Sequence, residues 1–138
     1  LLFQQHIEAQ CKRLRILGFT GTPIIRGNLN AMDKSLLPSL QTVCTEILNN
    51  IAKHGKPGAF AFILSVGPDA VRIFASNLYN AAINSAPENH YGTALIQDFA
   101  QQHNGTMTIN SENEEWSLSL TIPLAHQVKL MFSPTEKL

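Results

Sequence analysis

Three groups of polar residues in this sequence could form a ligand site, and the first lies on one predicted helix. Glu46, Asn50, Lys53 and His54 are spaced at i, i+4, i+7 and i+8, which places them on one side of a helix. Carboxylate and amide oxygens are ligands that Mg²⁺ accepts, and because this ion keeps several waters, one side-chain oxygen is enough. The ammonium and imidazole groups beside them suit phosphates. The alternative is a solvated helix face, and for this group alone it is the better interpretation.

The other two groups stand where predicted elements begin or end. Asn77 ends a predicted strand, where its amide can hydrogen-bond a ligand at the edge of a sheet. The alternative is an Asn that ends the strand and starts a turn. Gly92 and Thr93 begin a predicted helix, where glycine permits close backbone approach and the free amides bind phosphate. The alternative there is an ordinary junction between a loop and a helix.

Hydrophobic periodicity predicts the elements that must position these residues. Apolar residues at intervals of three and four predict helices over residues 1–17, 36–54 and 92–103. Alternation and short apolar runs predict strands over residues 22–26, 59–66, 70–77, 106–110 and 116–124. The last four strands form two hairpins. The order of elements predicts a two-layer α/β (α+β) sandwich, with helices packed on one face of a mixed, mostly antiparallel sheet.

Composition excludes several classes of protein. The chain has 138 residues and zero formal net charge, which fits one domain and gives no basic surplus for nucleic acid. No apolar run approaches the roughly 20 residues of a membrane helix. Cys11 and Cys44 lie in apolar helical patterns, which predicts buried free thiols in a reducing compartment. Because the chain begins with Leu1, we expect a fragment, either of a cytoplasmic protein or of the cytoplasmic part of a membrane-anchored one.

The three polar groups together resemble the ATP-binding domain of two-component sensor histidine kinases, which belong to the GHKL ATPase superfamily. The segment Glu46–Gly55 resembles their N box, Glu-x-x-x-Asn-x-x-(Lys/Arg)-His. The strand Val71–Asn77 resembles the one that leads into the G1 box, and residues 92–105 resemble the G2 box and its helix. Thr106–Pro123 resembles the closing hairpin. The resemblance covers residues 36–124 in order, and it implies the GHKL fold with nucleotide between the helices and a lid.

The resemblance implies ATP and Mg²⁺ as cofactors and assigns the N-box residues to the metal and the phosphates. Asn50 corresponds to the Mg²⁺ ligand. Glu46 lies one turn before it, near the phosphates and their waters, and is the candidate catalytic residue. Lys53 and His54 are candidates for contact with the phosphates.

The remaining correspondences include departures from the family pattern. Asn77 takes the place of the Asp that recognises the adenine amino group, so a neutral amide replaces a carboxylate. Tyr79 stands where the G1 box has Gly, and His90 where the G2 box has its first Gly. Gly92 matches the second Gly of the G2 box, and Thr93 follows it at the phosphate-binding turn.

The resemblance implies a protein-histidine kinase that supplies the γ-phosphate of ATP to a His on a separate dimerisation domain of the same protein. A response regulator then receives the phosphoryl group, and the full-length protein is a homodimer. Residues 1–17 are expected to be the end of a dimerisation helix or a linker, and residues 18–138 the ATP-binding domain. His6 is expected to be a surface residue and not the phosphoacceptor.

Two alternatives stay open at this point. One is a degenerate GHKL module that binds nucleotide weakly or not at all and acts in regulation or docking. The other is an anti-sigma-factor-like kinase that phosphorylates Ser on a partner protein.

Overall fold

The protein, described as a computed structural model over residues 2–79 and 93–124, consists of three helices packed on a five-stranded mixed sheet. The helices are α1 (Leu2–Ile16), α2 (Leu36–His54) and α3 (Thr93–Gln102). The strands are β1 (Pro23–Gly27), β2 (Gly55–Val66), β3 (Ala70–Tyr79), β4 (Thr106–Glu112) and β5 (Glu115–Pro123). This architecture confirms the predicted two-layer sandwich.

The sheet has the strand order β1-β2-β3-β5-β4. Strand β1 runs parallel to β2, and the other three pairings are antiparallel. Strand β3 lies at the centre and pairs with β5 from Ala70 to Leu78, so the two predicted hairpins join through these strands. A single edge strand thus supplies the parallel part of the sheet.

One apolar core fills the space between the helices and the inner face of the sheet. Alternate residues of the central strands point into it, as shown by Phe62, Ile73 and Leu120, which are at most 2% exposed. Helix α2 contributes the largest helical share, because its apolar stripe faces the sheet. Cys11 and Cys44 lie in this core as free thiols, as the sequence predicted.

Helix α1 packs on α2 and contributes to the same core. Its four buried side chains are Phe3, Ile7, Cys11 and Leu14. His6, expected on the surface, is half-buried instead, and its Nε2 hydrogen-bonds to the Thr45 hydroxyl at 2.7 Å. The Arg13 guanidinium donates to Asn49 Oδ1 at 3.1 Å. These contacts tie α1 to α2, while the division of the chain at residue 18 stays a prediction.

The junction between α2 and β2 differs from the sequence prediction. The predicted helix over residues 36–54 and the predicted strand over residues 59–66 leave residues 55–58 as a connection between them. Strand β2 instead begins at Gly55, directly after the last residue of α2, and Gly55 pairs with Tyr79. An irregularity between Gly55 and Phe60 absorbs the proline and the second glycine. The helix therefore passes into the sheet without a connecting residue.

None of the three described helices is both long and apolar enough to cross a membrane.

Candidate functional site

Connectivity brings the candidate residues to one end of the sheet. Helix α2 ends at His54, and the next residue, Gly55, pairs with Tyr79 at the end of β3. Helix α3 is followed by β4, which starts opposite Thr121 at the far end of β5. A helix that packs back along the strand that follows it runs in the opposite direction, so the N-terminus of α3 points toward the ends of α2 and β3. We call this the Asn77 end of the sheet.

Asn77 is buried against the C-terminal end of α2. Only 5% of its surface is exposed. A Cβ placed on Gly55 would lie 3.2 Å from Asn77 Cγ and closer still to its Nδ2, so glycine makes room for this side chain. The Asn77 amide nitrogen donates to the carbonyl oxygen of Leu78, which leaves Oδ1 as the acceptor of this amide.

Asn50 is the second buried amide, on the last turns of α2. It is 8% exposed and precedes Ile51, whose carbonyl oxygen accepts from the backbone N–H of Gly55. Among the described residues, Asn50 and Asn77 are the two polar residues that are buried. Burying an amide costs free energy unless it is hydrogen-bonded. Two amides at one end of an otherwise apolar core are therefore the clearest polar feature of the fold.

The other predicted residues of α2 surround Asn50 with less burial. Glu46 is half-buried one turn before it, Lys53 is exposed, and His54 is half-buried at the end of the helix. Cations in the last turn of a helix also interact favourably with its dipole, so Lys53 and His54 have a structural role in any case. The structure thus keeps all four residues on the part of α2 that reaches the Asn77 end.

Thr93 is the first residue of α3 and is half-buried. No acidic residue lies in the first turn of this helix, so its positive end is not neutralised from within. Free amides and a positive dipole end are the features by which helix N-termini bind phosphates. Gly92 and His90 lie outside the described residues.

A cleft of about 480 Å³ runs between α2 and α3, and none of the predicted site residues that the structure describes lines it. Its walls are Ser39, Thr42, Val43, Leu95, Asp98, Phe99 and Gln102. At 1.5 Å per residue, Asn50 lies roughly 10 Å along α2 from the nearest of these, Val43. The cleft therefore borders the Asn77 end without including it.

Strand register adds two residues whose position the sequence did not reveal. Trp116, in the strand predicted over residues 116–124, pairs with Asn77 on the inner face and is half-buried. Gly55, the last residue of the segment that resembles the N box, shapes the space that Asn77 fills. Both roles depend on pairing between distant segments. The one local signal of either role in the sequence is the glycine that directly follows the predicted helix.

Comparisons with known proteins place this arrangement among solved structures. No protein-family model matches the sequence, and no curated protein matches it either. The catalytic domain of histidine kinase ThkA is similar with a TM-score of 0.64 and 10% identity, over 89% of this chain and 92% of that one. Histidine kinase AdeS of Acinetobacter baumannii gives 0.67 and 12%, over 87% and 61%.

A third similar structure is the blue-light activated histidine kinase of Erythrobacter litoralis, with a TM-score of 0.64 and 10% identity over 92% of this chain. The match spans 43% of that kinase and 61% of AdeS, but nearly all of the ThkA domain. At these identities the likeness concerns the fold. The chain has the fold of histidine kinase catalytic domains.

Proposed function

We propose that this chain is the ATP-binding catalytic domain of a sensor histidine kinase. The observation that carries the proposal is the burial of Asn50 and Asn77 at the same end of the sheet. The fold is that of catalytic domains of histidine kinases. The sequence resemblance assigns Asn50 to Mg²⁺ through the N box and Asn77 to adenine through the G1 strand, which supports the same proposal.

Asn77 is the residue proposed to recognise the adenine base of ATP. Its nitrogen is held by the Leu78 carbonyl, so its Oδ1 accepts from the amino group of adenine as a carboxylate would. A neutral acceptor forms a weaker hydrogen bond than a charged one. We therefore expect recognition of adenine with modest affinity.

The donor set on α2 fits a hydrated Mg²⁺ ion. The oxygens of Asn50 and Glu46 lie one helical turn apart, and both are the hard ligands that this ion prefers. Because Mg²⁺ keeps several waters and binds substrate phosphates, phosphate and water oxygens would complete the set. When bound, the ion would neutralise charge on the phosphates.

The chain's own contribution to phosphoryl transfer is positioning and charge neutralisation. Lys53 and His54 in the last turn of α2, and the positive end of the α3 dipole, would neutralise charge on the phosphates. Asn77 fixes the base and thereby the direction of the γ-phosphate. The acceptor is a His on a separate dimerisation domain, and a response regulator receives the phosphoryl group from it.

A degenerate module without tight nucleotide binding is the second candidate. Tyr79 favours it, because this half-buried side chain stands where the resembled G1 box has Gly and lies directly opposite Gly55. Such a domain would act through contacts with other domains.

Calorimetric titration of Mg-ATP and Mg-ADP into the chain tests the proposal. We expect Mg²⁺-dependent binding that Asn50→Ala removes. Asn77→Ala should weaken ATP about five- to tenfold and reduce the preference over GTP, which is the loss of one hydrogen bond of roughly 1 kcal/mol. The matched control is Asn110→Ala, which removes an exposed amide on β4. No heat at millimolar nucleotide would refute ATP binding and favour the degenerate module.

A further inference from the structure

The face of the sheet turned away from the helices, here called the outer face, carries an apolar row that none of the described helices and strands covers. Pleating sends alternate residues to this face, and strand register aligns Ile24, Ile63 and Phe74 side by side on β1, β2 and β3. Ile24 is 45% exposed and Phe74 is 40% exposed. Ile63, between them, is half-buried, and Ser119 on β5 ends the row beside Phe74. The three apolar side chains form one continuous surface, which is a candidate contact surface.

The charges on the outer face are separated along the strands. Arg26 and Arg72 flank Ser65 at one end of the face. Glu115 lies beside Leu78 at the other end, and Glu112 pairs with it on β4. All four charged side chains are exposed, and none makes an ion pair within the part of the chain that the structure describes. Two positive and two negative charges thus leave the face neutral but polarised.

We propose that a second copy of this chain packs on the outer face, with the two copies related by a two-fold axis. A surface that is apolar at its middle and opposite in charge at its ends is complementary to itself, as an isologous interface requires. The axis lies midway between the two packed sheets and is perpendicular to their strands. Along β3, it crosses halfway between Phe74 and Ser76.

This axis matches residues at equal distances from it. Arg72 and Leu78 lie at equal distances from the axis along β3, on opposite sides of it. In the dimer, Arg72 of one copy therefore faces Leu78 of the other copy and the neighbouring Glu115. Phe74 lies opposite the other copy's Ser76 and within roughly 7 Å of the other Phe74 along the strand direction, which suits aromatic contact. Arg26 lies on β1 at the level of Arg72 and adds to the positive potential at that end of the face.

The available area predicts a weak dimer. Strands about 4.8 Å apart with about 3.3 Å per residue give this five-stranded face an area on the order of 600 Å². Stable complexes bury about 800 Å² on each partner, so the dissociation constant should be micromolar. Zero formal net charge removes long-range repulsion between the copies. This contact is independent of the proposed nucleotide site, which lies on the helical side of the sheet.

Sedimentation equilibrium of the 138-residue chain with charge-reversal variants tests the interface. We expect the wild type to dimerise, and Arg26→Glu/Arg72→Glu or Glu112→Arg/Glu115→Arg to weaken dimerisation at least about tenfold. Mixing the two variants should restore association as a heterodimer. The matched control is Lys12→Glu/Lys34→Glu, which changes exposed lysines outside the sheet by the same charge.

A second readout does not depend on reversing charges. Ser76→Cys lies near the axis and should be linked to its counterpart by a short bismaleimide, whereas Lys12→Cys on α1 should not. A wild type that stays monomeric at about 0.5 mM would overturn the proposal. So would a mixture of the two reversed variants that fails to associate, or charge-reversed variants that dimerise as tightly as the wild type.

Discussion

Replacing Gly55 by alanine tests the contact on which the candidate site depends. Gly55 has φ −78° and ψ 160°, a backbone conformation that any residue adopts, so the substitution adds no backbone strain. Its cost comes from space alone. The new Cβ would lie 3.2 Å from Asn77 Cγ, and less than 3.0 Å from both Asn77 Nδ2 and the carbonyl oxygen of Ile51. One of these neighbours is backbone, so the end of α2 or the Asn77 side chain must move.

Overpacking of this kind costs about 1–3 kcal/mol of unfolding free energy. For a chain of 138 residues this corresponds to a melting temperature lower by roughly 4–10 °C. Urea denaturation measures the free energy, and titration with Mg-ATP measures the second effect. Because the clash displaces Asn77, we expect nucleotide affinity to fall together with stability.

The matched control is Gly67→Ala in the turn between β2 and β3. There the new Cβ would meet only ordinary contacts, with the nearest atom, the Ala70 carbonyl oxygen, at 3.5 Å. This control should stay within about 0.5 kcal/mol of the wild type. The double variant Gly55→Ala/Asn77→Ala should lose less stability than the sum of the single variants. A Gly55→Ala variant as stable as the control would refute the packing of Asn77 against α2.

Two further predictions concern α1 and the buried thiols. Ile7→Ala should lower the unfolding free energy by about 2–4 kcal/mol in a single transition, because Ile7 is fully buried in the common core; an unchanged midpoint in urea would show that α1 does not share that core. Burial raises the pKa of Cys11 to about 11 from 9.0, and that of Cys44 further. The folded state therefore holds these protons longer than the unfolded state, so stability present below pH 9 should decline as pH rises from about 9 to 11. Urea midpoints at pH 7, 9 and 10.5 measure this loss, and Cys11→Ser/Cys44→Ala should flatten it; an equally steep decline in that variant would contradict the assignment.

Local patterns were enough to predict most elements of this fold. Helix α2 has the predicted bounds, because its apolar stripe and the glycine after His54 are both local signals. Strands β3 and β5 alternate clearly, and their predicted positions agree within two residues with the observed ones. The prediction that Cys11 and Cys44 are buried followed from the same periodicity.

Local sequence patterns could not predict which distant segments pair with each other. The start of β2 at Gly55 depends on Tyr79, 24 residues further along, and a proline and a glycine in between indicated a turn. The environment of His6 depends on Thr45, which no periodicity connects to it. In the candidate site, the residue types at Asn50 and Asn77 were visible, but their burial at one end depended on topology. Gly92 lies outside the described residues, and its role stays a prediction.

The direct passage from α2 into β2 also limits how this protein can change over evolutionary time. Helix α2 ends at His54 and strand β2 begins at Gly55, so no loop separates them that could accommodate an added or deleted residue. One inserted residue would turn the helix by about 100° relative to the strand and carry Asn50 away from Asn77. The exposed turn at Pro68 and Asp69 faces no such demand. Length variation should therefore accumulate at that turn, while the helix–strand junction keeps its length.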